Sequence, residues 1–152
     1  PRGAASERDP ARGALRARLR AFGLAEEEVE GDGNCQFRAL SAQLWNDGGR
    51  AHGEARGRVV AALARAPERY RPFVADEPWD AYLARMARDG AWGDHVTLQA
   101  AADALDARVH VLTSYDDAGY LQIVPHANPR APHTLWLSFW AEVHYNSVRE
   151  AC

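Results

Sequence analysis

Lysine is missing from this sequence, since all 18 basic residues are arginine, against 21 aspartates and glutamates. The net charge of −3 provides no strongly basic surface of the kind that nucleic-acid binding requires. No apolar run approaches the roughly 18 residues that are needed to span a bilayer, and the first residues lack the apolar stretch of a secretory signal. We therefore expect a chain of the cytoplasm or nucleus that binds neither nucleic acid nor membranes.

Cysteine is almost as scarce, with Cys35 inside the chain and Cys152 at its last position. Two cysteines placed in this way do not form a disulfide framework, which favours a reducing compartment. The paired Cys and His spacings of structural zinc sites are missing as well, so we expect no metal and no other cofactor. Cys35 itself is either a small buried apolar residue or a reactive thiol.

Helical patterns dominate the first two thirds of the chain, and strand patterns follow them. At 152 residues the chain fits a single domain, and we predict a mobile tail over residues 1–11 and a folded domain over residues 12–150. Helices first and antiparallel strands afterwards indicate an α+β domain with two layers. Helices are predicted over residues 12–22, from 35 to a turn at 46–49, and over 54–66, 78–88 and 97–105; strands are predicted over 108–113, 120–124 and 134–140.

The segment GDGNC places Cys35 at the start of the second predicted helix. The glycines allow backbone conformations that are closed to other residues. A helix N-terminus offers unpaired N–H groups and partial positive charge, which lower the pKa of a thiol. The N–H groups of this loop are also suited to an oxyanion hole. From these residues alone, a nucleophilic cysteine and an inert buried cysteine both remain open.

His144 is the histidine best placed to act as a base for such a thiol. It follows the apolar strand 134–140, and Asn146 lies two residues further on. In an extended segment these two side chains project to the same side, so Asn146 can hydrogen-bond one imidazole nitrogen while the other faces Cys35. His95, before the fifth helix, is the next candidate among the six histidines.

Three motifs in this order resemble those of the OTU (ovarian tumour) family of cysteine proteases. The nucleophile motif of that family resembles GDGNCQFRAL at residues 31–40, its central motif resembles WGDHVTLQA at 92–100, and its histidine motif resembles HYNSV at 144–148. The resemblance extends over roughly residues 12–150 and is most like the plant-type branch. Thr97 stands where many members carry Glu, but the plant-type branch shares the threonine.

The resemblance implies a papain-like OTU fold, with helices packed on a small, mostly antiparallel sheet. It also implies a deubiquitinase, which hydrolyses isopeptide or peptide bonds at the C-terminal glycine of ubiquitin. The expected catalytic residues are Cys35 as nucleophile, His144 as general base, Asn146 as orienter of the histidine and Asp32 as holder of the cysteine loop. The expected oxyanion and cleft residues are Gly33, Asn34, Trp92 and Trp140.

The expected partner is ubiquitin or a ubiquitin chain, bound by a monomer. Because the ubiquitin tail is basic and ends in two glycines, a narrow aromatic slot with acidic groups beside it should bind it; Glu142 and Asp94 are candidates by position. Two alternatives remain open: a cysteine isopeptidase for another ubiquitin-like modifier, and a ubiquitin-binding module without catalysis. The absence of lysine is explained either by base composition or by selection against self-ubiquitination.

Overall fold

The computed structural model describes residues 9–152. Over this range the chain forms six α-helices, one short 3-10 turn at Arg71–Phe73 and five β-strands. None of the helices in this range is long and apolar enough to cross a membrane. The helices are α1 Pro10–Ala21, α2 Cys35–Trp45, α3 His52–Arg65, α4 Pro67–Tyr70, α5 Trp79–Met86 and α6 His95–Leu105; the strands are β1 Leu24–Glu27, β2 Ala107–Thr113, β3 Tyr120–Ile123, β4 His133–Trp140 and β5 His144–Glu150.

The predicted helices and strands are all present, and their ends agree within two residues. The first helix begins earlier than predicted because Asp9 caps it, accepting a hydrogen bond from the Ala11 N–H at 2.9 Å, and Pro10 suits a first helical turn. Residues 9–11 therefore belong to the folded domain, while the rest of the predicted tail, residues 1–8, lies outside the described residues. The short helix α4 and the strands β1 and β5 are not among the predicted helices and strands.

The five strands form one sheet in the order β1-β5-β4-β2-β3. The pair β2–β4 is parallel and the other three pairs are antiparallel, which agrees with the predicted mostly antiparallel sheet. A tight turn joins β4 to β5, so that Trp140 pairs with His144 across the hairpin. Glu142 adopts a left-handed conformation in this turn, with φ of 63°. The hairpin thus fixes the backbone of His144 at the first residue of β5.

Apolar side chains cover both faces of the sheet. On one face, Phe37 and Leu40 of α2 are fully buried in the same core cluster as Leu135 and Leu137 of β4. On the other face, a smaller cluster joins α1 to the sheet. Its buried members are Leu15, Leu19, Leu112 and Val148, and Leu24, Trp136 and Trp140 pack against them.

Candidate active site

Cys35 is the first residue of α2, as predicted, and only 5% of it is exposed. Its backbone N–H donates to the carbonyl of Asp32 at 3.2 Å, which closes the turn in front of the helix. Asn34, the N-cap residue, makes no side-chain bond to the helix. The first-turn N–H groups, which have no partner within a helix, therefore remain suited to binding a developing negative charge.

Asp32 holds the cysteine loop through two neighbours. Its carboxylate accepts a hydrogen bond from the backbone N–H of Asn34 at 3.0 Å and from the guanidinium of Arg38, whose Nη2 lies 2.8 Å from Oδ2. The Arg38 hydrogen bond is the main cause that lowers the pKa of Asp32 to about 2. The side chain is therefore ionised at neutral pH and anchors the loop to the second turn of α2.

Asn34 links the cysteine loop to α3 and to the loop that follows α5. Its Oδ1 accepts hydrogen bonds from Nη2 of Arg56 at 2.6 Å and from the Gly90 N–H at 2.8 Å, while its Nδ2 donates to Asp89 at 3.1 Å. Arg56 is buried and also donates to the carbonyls of Met86 and Ala91. The side chain of Asn34 is thus used to position the loop.

Sequence reasoning missed Arg56. The only signal for it is an arginine inside the otherwise apolar stripe of α3, beside Ala55 and Val59. The guanidinium carbon lies 4.1 Å from the centre of the Phe37 ring, so this arginine fills a core position as well as bonding to the loop.

Gly33 makes the closest backbone approach in the site. A Cβ atom at this position would lie 1.8 Å from the carbonyl oxygen of Gly90, so no larger residue fits without moving one of the two loops. Trp92, two residues beyond Gly90, is 55% exposed. Together with Arg85 and Arg88 it lines an open groove of about 450 Å³ that includes Gly90. The predicted cleft residue Gly33 therefore contacts the loop that carries Trp92, another predicted cleft residue.

The central motif is tied to the residue next to Cys35. Asp94 and Thr97 form a capping box at the start of α6. The Thr97 hydroxyl donates to Oε1 of Gln36 at 2.7 Å, and Gln36 Nε2 donates to the Asp94 carbonyl at 3.1 Å. This motif therefore holds the first turn of α2 in place. The carboxylate of Asp94 also accepts from the Tyr82 hydroxyl at 3.0 Å, so its bonds lie within the fold, whereas Glu142 is exposed beside His144.

His144 and Asn146 form the pair that was predicted from their spacing. Nε2 of His144 lies 2.8 Å from Oδ1 of Asn146, which also accepts a hydrogen bond from the Val29 N–H at 3.0 Å. Asn146 is only 2% exposed, so the amide is held within the protein. Because Nε2 is engaged by Asn146, Nδ1 is the ring nitrogen that remains for a thiol.

The fold brings the start of α2 next to the start of β5. Cys35 and Tyr145, the residue after His144, are buried in the same core cluster, and the side-chain amide of Gln43 on α2 donates to the Ser147 hydroxyl on β5 at 2.8 Å. This contact joins the two predicted catalytic segments across the chain. The prediction of a lowered thiol pKa was wrong: burial raises the pKa of Cys35, and the backbone N–H groups of Tyr145 and Gln36 only partly oppose that effect.

Trp140 lies on the opposite face of the sheet from Phe37 and Leu40. Its ring packs at 5.4 Å from the guanidinium carbon of Arg12, and its indole N–H donates to Asp9 at 3.2 Å. Alternation along β4 explains this placement, because Leu135 and Leu137 face α2 and the even-numbered residues face α1. The structure therefore does not place Trp140 in the cleft beside Cys35.

His95, the other histidine that was considered as a base, lies outside the His144–Asn146 pair. His95 is the first residue of α6 and is exposed. Within residues 9–152, no group of three or more His, Cys, Asp or Glu side chains could hold a metal ion. The chemistry that this arrangement supports is attack by a thiol that is assisted by an oriented imidazole.

A cysteine at a helix start, next to a strand that carries a hydrogen-bonded His–Asn pair, defines the class of papain-like thiol hydrolases. Residues 30–147 match the family model described as OTU-like cysteine protease, and the chain belongs to this family.

The similar curated proteins include two from Arabidopsis thaliana, which confirms the resemblance to the plant-type branch. Ovarian tumor domain-containing deubiquitinating enzyme 10 is 48% identical over 134 residues, which cover 88% of this chain and 37% of that protein. Enzyme 9 of the same series is 49% identical over 131 residues, covering 86% of this chain and 37% of the relative. The chain thus spans little more than a third of the length of these relatives.

Solved structures confirm the OTU fold. The OTUD1 OTU domain superposes with a TM-score of 0.76 at 23% identity, covering 90% of this chain and 93% of that one. An ovarian tumor domain in complex with ubiquitin superposes with a TM-score of 0.69 at 18% identity, covering 82% of this chain and 69% of the other. At these identities the likeness concerns the fold alone.

Proposed function

We propose that this chain is a deubiquitinase: a cysteine hydrolase that cleaves the bond after the C-terminal glycine of ubiquitin. The observation that carries the proposal is that α2, which begins at Cys35, packs against β5, which begins with the hydrogen-bonded pair His144–Asn146. Cys35 is the nucleophile, His144 the general base, and Asn146 the residue that orients it.

The first half of the reaction forms a thioester. The sulfur of Cys35 bonds to the carbonyl carbon of the terminal glycine, while the thiol proton passes to Nδ1 of His144. The carbonyl oxygen becomes an oxyanion that backbone N–H groups in the first turn of α2 stabilise, by about 3–4 kcal/mol for a typical oxyanion hole. When the tetrahedral intermediate collapses, the amine leaves and takes the proton from His144.

The second half releases ubiquitin. Water attacks the thioester carbonyl, and His144 accepts its proton as general base. The bond between carbon and sulfur then breaks, and the proton returns to the sulfur of Cys35. The products are the free carboxylate of ubiquitin and the amine of the former conjugate, and the thiol is regenerated without any cofactor.

Two observations support ubiquitin as the modifier. The relatives from Arabidopsis are named deubiquitinating enzymes, and a domain of the same fold has been solved in complex with ubiquitin. Glu142, exposed in the β4–β5 turn, is suited to meeting a basic residue of the ubiquitin tail.

We place this activity in the cytoplasm or nucleus, in a protein that acts as a monomer on ubiquitin and not on nucleic acid. The physical reason for the compartment is the thiol: Cys35 has no disulfide partner, and a reducing environment keeps such a cysteine in its active form.

A cleavage panel tests the proposal. The chain is incubated with diubiquitins of each linkage and with chains of related modifiers, beside the variants Cys35→Ser and Cys152→Ser. We expect cleavage of at least one diubiquitin by the wild type and by Cys152→Ser, and none by Cys35→Ser. A ubiquitin probe with a C-terminal electrophile should label Cys35 and leave Cys152 free.

The other outcomes refute the proposal in distinct ways. Cleavage confined to a related modifier would assign the alternative substrate. Ubiquitin binding without any cleavage would assign a binding module. Turnover by Cys35→Ser at the wild-type rate would remove Cys35 from the mechanism.

A further inference from the structure

The NH₂ group of the Asn146 amide is held by a buried ion pair. Its Nδ2 donates to Oε2 of Glu26 on β1 at 3.1 Å. The same carboxylate binds Arg12 of α1 through two hydrogen bonds, at 2.6 Å and 2.5 Å. The side chains of Arg12 and Glu26 are only 6% and 9% exposed. A continuous chain of polar contacts therefore runs from His144 through Asn146 to this pair.

The ion pair lies outside the segment that matches the family model. That match begins at residue 30, whereas Arg12 lies on α1 and Glu26 on the edge strand β1. The strand pairs with β5 so that Glu26 stands opposite Val148, two residues beyond Asn146. The stacking of Trp140 on the guanidinium of Arg12 adds a second contact that keeps the arginine in this position.

We propose that Glu26, held by Arg12, is a positioning residue that sets which nitrogen of His144 carries the proton. An ionised carboxylate only accepts hydrogen bonds, so the NH₂ end of the Asn146 amide must face Glu26. The oxygen end then faces His144, where it accepts a hydrogen bond from a protonated Nε2. The neutral imidazole is thereby fixed with Nδ1 unprotonated, which is the form that can take a proton from Cys35.

If Glu26 were replaced, the hydrogen bond from the Val29 N–H would not be enough to keep the Asn146 amide in this orientation. The Val29 N–H also requires the oxygen end of the amide, but without a carboxylate the NH₂ group of Asn146 would be buried without an acceptor, which is unfavourable. A flipped amide would present NH₂ to His144 and favour the proton on Nδ1. The thiol of Cys35 would then face a nitrogen that cannot accept its proton.

The inference rests on the proposed hydrolase function, and the first test is Glu26→Gln. Arg12 requires an acceptor, so it should retain the oxygen of the new amide and turn its NH₂ towards Asn146. Two NH₂ groups cannot bond to each other, and we expect the Asn146 amide to flip. The expected result is a fall in kcat of about 10- to 100-fold with KM for the ubiquitin substrate unchanged, because the ubiquitin surface is not altered.

A rescue experiment separates positioning from a merely structural role. Asn146→Asp has no NH₂ end, so its carboxylate can accept from His144, from Val29 and from the amide of the Glu26→Gln variant. The double variant Glu26→Gln/Asn146→Asp should therefore recover most of the lost kcat. Asn146→Asp alone should be poorly active, because its carboxylate would face that of Glu26. If the double variant were no better than either single variant, the proposal would fail.

A second variant tests the proposal even if Glu26→Gln fails to fold. Arg12→Met/Glu26→Leu replaces the buried pair with apolar side chains of similar size, a change that is often neutral for stability, but it removes the acceptor for Asn146. We expect a folded chain with reduced kcat. The matched control is Arg58→Met/Glu54→Leu, which removes an exposed ion pair on α3 and should leave kcat unchanged. Wild-type kcat and an unchanged pH–rate profile in the buried-pair variant would show that the pair is only structural.

The protonation form of His144 gives a readout that is independent of ubiquitin. Long-range ¹H–¹⁵N spectra of the neutral imidazole should show the proton on Nε2 in the wild type and on Nδ1 in Glu26→Gln. If no diubiquitin were cleaved, the proposed substrate would be wrong, yet this change of tautomer would still support the positioning role. If the proton stayed on Nε2 in Glu26→Gln, the positioning proposal would be refuted whatever the activity.

Discussion

At the scale of single residues, the setting of Cys35 combines two opposing effects on the thiol. Burial disfavours the charged thiolate and raises the pKa, while the backbone N–H groups of Tyr145 and Gln36 favour the charge. Burial is the larger of these two effects on the pKa of Cys35. The resting thiol is therefore neutral around physiological pH, and in the proposed mechanism the thiolate forms as His144 removes the proton during attack.

This protonation state predicts how alkylation depends on pH. In the variant Cys152→Ser, the rate of Cys35 modification by iodoacetamide should continue to rise from about pH 7 to beyond about pH 9, because only the thiolate reacts. The rate is measured by mass spectrometry of the labelled chain. A plateau that is already reached near neutral pH would contradict the prediction and indicate a thiolate–imidazolium pair at rest.

Gly33 supports a second prediction at this scale. The change Gly33→Ala places a methyl group where the Gly90 carbonyl lies, so the cysteine loop must move away. A displacement of about 1 Å in a catalytic loop can cost about a hundredfold in rate, and we expect a loss of that order in kcat/KM for diubiquitin cleavage. The control Gly57→Ala introduces a methyl group on α3 with nothing within 4 Å, and it should retain full activity. Equal activity of the two variants would refute this reading of the contact.

At the scale of secondary-structure elements, the loop after α5 acts as a brace for the start of α2. Asn34 and Arg56 connect the cysteine loop, α3 and the backbone at residues 86–91. Thr97 at the start of α6 holds Gln36 from the other side. The helices α3 and α6, which carry none of the proposed catalytic residues, therefore position the start of α2 and with it Cys35.

The brace predicts a large effect from Arg56→Met. The variant leaves the buried carbonyls of Met86 and Ala91 without their donors, so we expect the free energy of unfolding to fall by about 2–4 kcal/mol, with activity falling as well. Urea denaturation measures the change. On the same helix, Arg58→Met removes an exposed ion pair with Glu54 and should cost less than about 1 kcal/mol. Similar losses in both variants would argue against the brace.

At the scale of the whole molecule, one sheet separates two apolar clusters of different size. The larger cluster lies between the sheet and the group of helices that includes α2, which carries Cys35. The smaller cluster lies between the sheet and α1. Both clusters contain residues of the strand β2, Val111 in the larger and Leu112 in the smaller. The two layers are therefore expected to unfold together in a single transition.

Leu15→Ala tests this coupling. Leu15 belongs to α1 and is fully buried. Its truncation should lower the free energy of unfolding by about 2–5 kcal/mol. Tryptophan fluorescence and far-ultraviolet circular dichroism should give the same, lower denaturation midpoint. The control Leu121→Ala lies on the edge strand β3, where Leu121 is 42% exposed, and should cost much less. An early, separate transition in Leu15→Ala would show that α1 unfolds independently.

Much of the fold and of the candidate site could be predicted from the sequence because the relevant signals are local. Apolar spacing indicated the five longer helices and three of the strands, and GDGNC at a helix start marked Cys35 as a candidate nucleophile, which the family resemblance then favoured. His144 and Asn146 share a side of an extended segment because they are two residues apart. The strand β5 was missed because its centre, Asn146 and Ser147, is polar although buried.

Contacts between distant segments could be decided only by the tertiary structure. Nothing in the pattern of α1 or β1 indicates that Arg12 meets Glu26 behind Asn146, and only the sheet order, with β1 beside β5, brings them together. Alternation along β4 was visible in the sequence, and it puts Trp140 on the opposite face from Leu135 and Leu137, yet Trp140 was assigned to the cleft. The direction of the Cys35 pKa likewise depends on burial, which packing sets. The sequence by itself determined the periodic elements and the candidate reactive residues, because these depend on spacing along the chain. The fold determined their partners, exposure and charge state, because these depend on which surfaces pack together.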